Sequence, residues 1–126
     1  MGKGYLIDSN AIIDFFNKAL PENGKNFLIS IEPIISIITF IEIFGNNKAD
    51  DREIKELQKF CEIATIYNVD PNVSLITIEL RKSYKIKLPD ALIAATALFY
   101  NLVLITRNVS DFEKIEGLEI VNPHSV

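Results

Sequence analysis

The chain carries one cysteine and one histidine in 126 residues, and its 13 Lys and Arg fall short of its 17 Asp and Glu. Each scarcity closes off a class of function. Cys61, set in "ELQKFCEIAT", has no partner for an intramolecular disulfide. Its helical setting makes it a core-facing residue rather than a reactive thiol, and a reducing cytoplasm is the expected location. A net charge of -4 and a pI near 5.0 argue against nucleic-acid binding through bulk positive field, and leave room only for a local basic strip. There is no glycine-rich phosphate loop, so no nucleotide cofactor is expected. The start, "MGKGYLID", meets a charge before reaching signal-peptide length and lacks Ser or Thr at the sixth position, where a myristoylation signal wants one. The longest uncharged apolar stretches are broken by Pro or Asn, so no membrane span or membrane partner is expected.

With 48% hydrophobic residues, no linker and no internal repeat, residues 1–126 are expected to form a single domain around one core. Strand-like and helical runs alternate along it. "YLID" is a strand, followed by "SNAIIDFFNKA" with Ser9 or Asn10 as helix N-cap; "KNFLISI" is a short helix. Pro33 separates that helix from the strand "IISI", and "TFIEIFGN" is a helix stopped by Gly45. "DDREIKELQKFCEIA" is amphipathic, with Asp50 or Asp51 at its start and Ile54, Leu57, Phe60 or Cys61 and Ala64 facing inward. The strand "TIYNV" precedes a helix opened by Asp70-Pro71, and Pro89 or Asp90 opens "ALIAATALFY". "LVLIT" is a buried strand, "VSDFEKI" a single helical turn, and "LEIVNP" a closing strand. This alternation predicts an α/β fold in which right-handed crossovers join parallel strands and helices cover both faces. Sites in such sheets lie beyond the carboxyl ends of the strands, where strand order reverses.

Four acids stand at those places. Asp8 ends the first strand and is the only charge between Lys3 and Asp14; Glu42 is the only one between Glu32 and Lys48. Asp90 is alone between Lys87 and Arg107, and Asp111 follows the strand "LVLIT" by five residues. Taken singly, Asp8 and Asp90 suit helix caps, Glu42 a solvent-facing position and Asp111 a surface turn. Jointly they predict a shared pocket. Converging carboxylates raise one another's pKa unless a cation is shared, and an oxygen-only set without clustered Cys or His suits Mg²⁺ or Mn²⁺ rather than zinc.

At these residues the chain resembles a known family. "LIDSNAIID", "ISIITFIEI", "LPDALIAATAL" and "LITRNVSDF" are similar to the four acidic motifs of PIN-domain ribonucleases, in the small form of the VapC-type toxins of toxin–antitoxin pairs, and the likeness runs from Tyr5 to Pro123. It implies a three-layer α/β/α domain with a central parallel sheet of about five strands. It further implies endonucleolytic hydrolysis of RNA with Asp8, Glu42, Asp90 and Asp111 as catalytic acids. Asp8, Asp90 and Asp111 would hold one or two metal ions, with Glu42 as a further ligand or acting through water. Ser9, Asn10, Thr39, Thr106 and Asn108 match polar positions expected to orient those carboxylates by hydrogen bonds. Asn101 stands where the family commonly has glycine.

An RNA backbone still needs positive charge. "RKSYKIK" supplies Arg81, Lys82, Lys85 and Lys87 directly before Asp90, and Arg107 is a further candidate. Asp14, one turn after Asn10, is expected either to reach the pocket or to stand at an exposed helix position. Phe15, Phe16, Ile41 and Phe44 on the first and third helices are core or the wall of a groove for the antitoxin, and a homodimer is a further implication of the family. A phosphatase with an aspartyl nucleophile would want "DxD" in place of "DSN", and a phosphorylation receiver would want paired N-terminal acids. The rival reading is a non-catalytic RNA- or protein-binding module on the same scaffold, which would typically have lost one or more of the acids.

Overall fold

A computed structural model of the chain describes residues 3–45 and 48–126. Met1 and Gly2 of the N-terminal segment and Asn46, the expected end of the third helix, lie outside them. Five strands and seven helices follow in the order β1 (Tyr5–Ile7), α1 (Ser9–Phe16), α2 (Glu22–Ser30), β2 (Ile34–Ser36), α3 (Ile37–Phe44), α4 (Asp51–Ile63), β3 (Thr65–Tyr67), α5 (Pro71–Ser83), α6 (Leu88–Phe99), β4 (Val103–Ile105), α7 (Val109–Phe112) and β5 (Ile120–Val121). The strands form two parallel ladders, β1-β4-β5 and β2-β3, which meet where β1 lies against β2. The spatial order is therefore β3-β2-β1-β4-β5, and it reverses beside β1.

Register explains the layers. Leu6 pairs with Leu104 and Ile7 with Ile105, and successive side chains point to opposite faces of a sheet. Leu6 and Leu104 accordingly join Val73, Leu80, Ile93 and Phe112 on the face covered by α5, α6 and α7. Ile7 and Ile105 join Ala11, Ile12, Ile43 and Leu57 on the other. Each such aliphatic side chain fully withdrawn from water contributes about 1.5–3 kcal/mol. The central strand β4 is buried on both faces, which is why it reads as an unbroken apolar run. Buried alanines 91, 94, 95 and 97 let α6 approach the sheet and α5 closely.

Side-chain caps set the starts of α1, α3, α4 and α5. The carboxylates of Asp50 and Asp70 accept from the amides of Glu53 (2.8 Å) and Val73 (2.9 Å), and Ser36 Oγ accepts from Thr39 N (3.1 Å). The cap of α1 is Asp8 rather than Ser9 or Asn10, because the strand ends one residue earlier than the apolar run suggests. Gly45 does follow α3, but with φ -76 it sits in ordinary right-handed backbone, so no left-handed cap is used there. Asn101 does use one: its φ of 55 is a conformation that asparagine tolerates better than most residues, which accounts for its standing in for glycine.

The C-terminal segment packs back onto α2. A methyl group at Gly24 would lie 1.9 Å from the backbone oxygen of Pro123. Gly24→Ala is expected to lower stability, the overpacking cost of roughly 1–3 kcal/mol outweighing the ~1 kcal/mol that alanine gains in helix propensity. A urea midpoint equal to or above that of the wild type would show that the tail does not need this close approach.

Candidate active site

Asp8 lies at the carboxyl end of β1, beside the reversal in strand order, and is 3% exposed. Its amide continues the ladder by donating to Ile105 O (2.9 Å). Its side chain is held from three directions. Ser9 N donates to Oδ1 (2.8 Å), and Thr106 Oγ1 (2.9 Å) and Asn10 Nδ2 (3.0 Å) donate to Oδ2. Thr106 in turn accepts from Asn10 Nδ2 and from Asn108 N, each at 3.1 Å. Even so, burial pushes the Asp8 carboxyl above the usual range, against the opposing effect of these hydrogen bonds.

Asp8, Glu42 and Asp90 line one open pocket of about 240 Å³, together with Ser9, Asn10, Ile13, Asp14, Arg107 and Asn108. Glu42 projects from α3, where Ser9 Oγ donates to its Oε1 (3.1 Å). Its carboxyl is raised first by burial and then by repulsion from Asp8 and Asp90, with the Ser9 bond opposing. Asp90 is raised by burial and by repulsion from Asp8 and Asp111, with Lys87 opposing. It occupies the first turn of α6 and makes no capping bond, the N-cap position belonging to Lys87. The capping explanation thus applies to Asp8, which caps and lines the pocket at once, and fails for Asp90.

Asp111 does not share that pocket. It is exposed on α7 and lines the neighbouring cavity, whose wall includes Asp90, so the expected single pocket of four acids resolves into three with a fourth alongside. Among the described residues no three acidic, His or Cys side chains close to coordinating distance. The donor set consists of carboxylate oxygens, three of them with raised affinity for positive charge. It fits a hard divalent cation such as Mg²⁺ and does not fit zinc.

Of the polar residues expected to orient the acids, Ser9, Asn10 and Thr106 bond to them directly, and Asn108 acts on Asp8 through its backbone bond to Thr106. Thr39 does not. Its hydroxyl is fully buried and is the only side-chain polar atom in that position, among the described residues, without a partner. Of its two expected places Asp14 takes the pocket, where it is buried rather than exposed. Arg107 Nη1 donates to its two oxygens (2.9 and 3.0 Å), and His124 Nε2 lies 2.8 Å from Oδ2. Arg107 is therefore an ion-paired residue at the pocket rim, fixed also by its amide, which donates to Asn10 Oδ1 (2.9 Å). His124 has no precursor in any sequence motif.

A family model, PIN domain, matches residues 5–118. The chain belongs to the PIN-domain family. Within it the chain is of the VapC type, as its solved neighbours show. A chain of a toxin–antitoxin complex from Klebsiella pneumoniae is 34% identical, with a TM-score of 0.79 over 98% of this chain and 100% of that one. VapBC2 from Rickettsia felis, bound to a DNA fragment from its promoter, is 26% identical (TM-score 0.79; 94% and 97% covered). DNA-bound VapBC from Salmonella typhimurium is 28% identical (TM-score 0.76; 97% and 99% covered). No curated protein sequence matches.

The raised carboxyls predict how stability depends on pH without metal. A carboxyl whose pKa is higher folded than unfolded takes up protons on folding, so its contribution is most favourable at acid pH and is lost as pH rises through the raised value. In EDTA at neutral pH, Asp90→Asn is therefore expected to melt at or above the wild-type temperature, the gap narrowing as pH falls into the carboxylate range. A variant that melts lower at neutral pH would mean that the Asp90 charge stabilises the fold instead.

Proposed function

We propose that the protein is a Mg²⁺- or Mn²⁺-dependent endoribonuclease, the toxin of a toxin–antitoxin pair. The observation that carries this reading is the juxtaposition of Asp8, Glu42 and Asp90, each with its carboxyl raised, at the carboxyl end of a parallel sheet in a PIN-domain chain. A divalent cation bound there would supply Lewis-acid charge to the phosphoryl oxygens and acidify a water molecule. Asp8, Asp90 and Asp111 are the residues to hold it. Hydrolysis adds a water oxygen to phosphorus and breaks one P–O ester bond. Glu42, the more accessible of the raised acids, accepts the water's proton in this scheme. Ser9 fixes its Oε1, and no described residue donates to its Oε2. The non-catalytic rival is disfavoured because all four acids are retained.

Arg107 lines the acidic pocket itself, and Lys85 and Lys87 line the neighbouring cavity that shares Asp90 with it. Arg81 and Lys82 are exposed on α5, where Lys82 stands 3.8 Å from Glu79, and they serve at most the outer path of the RNA. An antitoxin has a place to dock as well. A cavity of about 530 Å³ is walled by apolar residues of α1, α2 and α4, including Phe15, Phe16, Leu28, Phe60 and Ile63. The groove expected between the first and third helices is thus formed with α2 and α4 instead. Ile41 is exposed and Phe44 packs against Phe40, both outside it. The three neighbours described above are toxin–antitoxin or VapBC assemblies, and an amphipathic antitoxin helix suits an apolar groove of this kind. A homodimer acting in the cytoplasm completes the proposal. For its part, no helix among the described residues is long and apolar enough to cross a membrane.

Purified protein is expected to cut single-stranded or loop RNA with Mg²⁺ or Mn²⁺ and to stop in EDTA. Asn10→Ala is expected to lower kcat/KM by about 10–100-fold, the usual cost of losing a residue that orients a ligating carboxylate, and Asp8→Asn by more. Expression without a partner should arrest growth, with Asp8→Asn relieving the arrest. Cleavage undiminished by EDTA, or by Asp8→Asn in a folded protein, would overturn the mechanism.

A further inference from the structure

On the far side of Asp90 from the acidic pocket lies a second cavity of about 270 Å³. Its wall carries Lys85, Lys87 and Lys114, the hydroxyl-bearing Tyr84 and Ser110, and the carboxylates of Asp90 and Asp111. Several times larger than the ~30 Å³ a water occupies in the liquid, it has room for a sugar–phosphate unit. None of the three lysines has an acid within ion-pair distance among the described residues, in contrast to Lys3 with Glu119 (2.7 Å) or Arg107 with Asp14 (2.9 Å). Tyr84 is fixed by its hydroxyl, which accepts from Glu116 N (3.1 Å), so one wall is rigid. In a chain with a net charge of -4, three such cations around one concavity are a local exception. Lys114 lies far in sequence from the run that holds Lys85 and Lys87, and only the fold brings it there.

We propose that this cavity is a subsite for the RNA backbone phosphate next to the one being cut, with Lys114 completing it, and that it fills only when the neighbouring acids are neutralised by a divalent cation. The proposal rests on the nuclease reading of the acidic pocket. Three lysines face two carboxylates, and those carboxylates belong to the acid set as well. While Asp90 and Asp111 are uncompensated they cancel most of the positive field, and once their charge is taken up by a cation the lysines act unopposed on a phosphate. Coupling of this kind is reciprocal, so an oligonucleotide in the cavity must tighten binding of the cation by the same factor.

The test uses Glu42→Gln protein, in which cleavage is slowed, with and without Lys85→Gln, Lys87→Gln and Lys114→Gln. A fluorescently labelled single-stranded oligoribonucleotide is the probe, and its anisotropy is read across a salt series in Mg²⁺ and in EDTA. All three lysines are exposed, and thermal melts check that the variant stays folded. In Mg²⁺ the triple variant is expected to bind more weakly, with the slope of log K against log salt shallower by roughly 0.7, the value for the one phosphate that the cavity no longer neutralises. In EDTA the two proteins should differ much less. An unchanged slope and affinity in Mg²⁺ overturns the subsite. Should the same variant lose inhibition by its partner protein instead, the lysines belong to that interface. Failure of the wild-type protein to cut RNA in Mg²⁺ or Mn²⁺ overturns the nuclease reading and the subsite with it, whereas equally tight binding by the Glu42→Gln protein with and without its lysines overturns the subsite alone.

Discussion

A carboxylate with 3% exposure at the end of a central strand is the constraint around which the rest of the site is arranged. Withdrawing a charge from water costs several kcal/mol unless hydrogen bonds or a counter-charge offset it. Asp8 obtains its bonds from the two elements that converge there. Ser9 and Asn10 come from the first turn of α1, and Thr106 comes from the end of β4. The parallel pairing of β1 with β4, which places Ile7 beside Ile105, is what makes Thr106 available to it. The same bonds fix the orientation of the carboxylate, yet its pKa remains raised because they do not fully replace water. In the proposed function that remaining deficit is what a cation would offset.

Around this centre the chain spends a second buried acid on structure. Asp14 shares the pocket wall with Asp8, but its two oxygens are taken by Arg107 and His124. That pairing ties α1 to the segment after β4 and to the C-terminal tail, whose Pro123 oxygen lies where a side chain at Gly24 would go. The acid that caps α1 and the acid further along it thus have opposite fates. Asp8 is held by neutral donors alone, whereas Asp14 is paired with a guanidinium.

How much of this could be read from the sequence depended on range. The alternation of elements, the five strands and the positions of Asp8, Glu42 and Asp90 follow from local patterning, because a charge isolated in an apolar run and placed after a strand is visible one-dimensionally. Burial of Asp14 was not legible, since its partners lie 93 and 110 residues away. Nor was the relation of Asp111 to the pocket, because a single helical turn on α7 decides which side of Asp90 it joins. The apolar groove was assigned to α1 and α3, whereas Ile43 turns inward on α3 and Ile41 turns outward, leaving α2 and α4 to flank α1. Periodicity shows that a helix has an apolar stripe, and only packing shows which neighbour that stripe meets.

The central claim is that Asp8, Asp90 and Asp111, with Glu42 beside them, form a cation site and not a structural cluster. Burial and repulsion raise the proton affinity of Asp8, Glu42 and Asp90, so a cation binding among them displaces whatever protons they carry. Titrating Mn²⁺ into the protein at mildly acidic pH, in buffers of different ionisation enthalpy, measures that release by calorimetry. The account predicts saturable binding with net proton release, and weaker binding with less release in Asp90→Asn. Binding without proton release, or identical titrations of the two proteins, would contradict it.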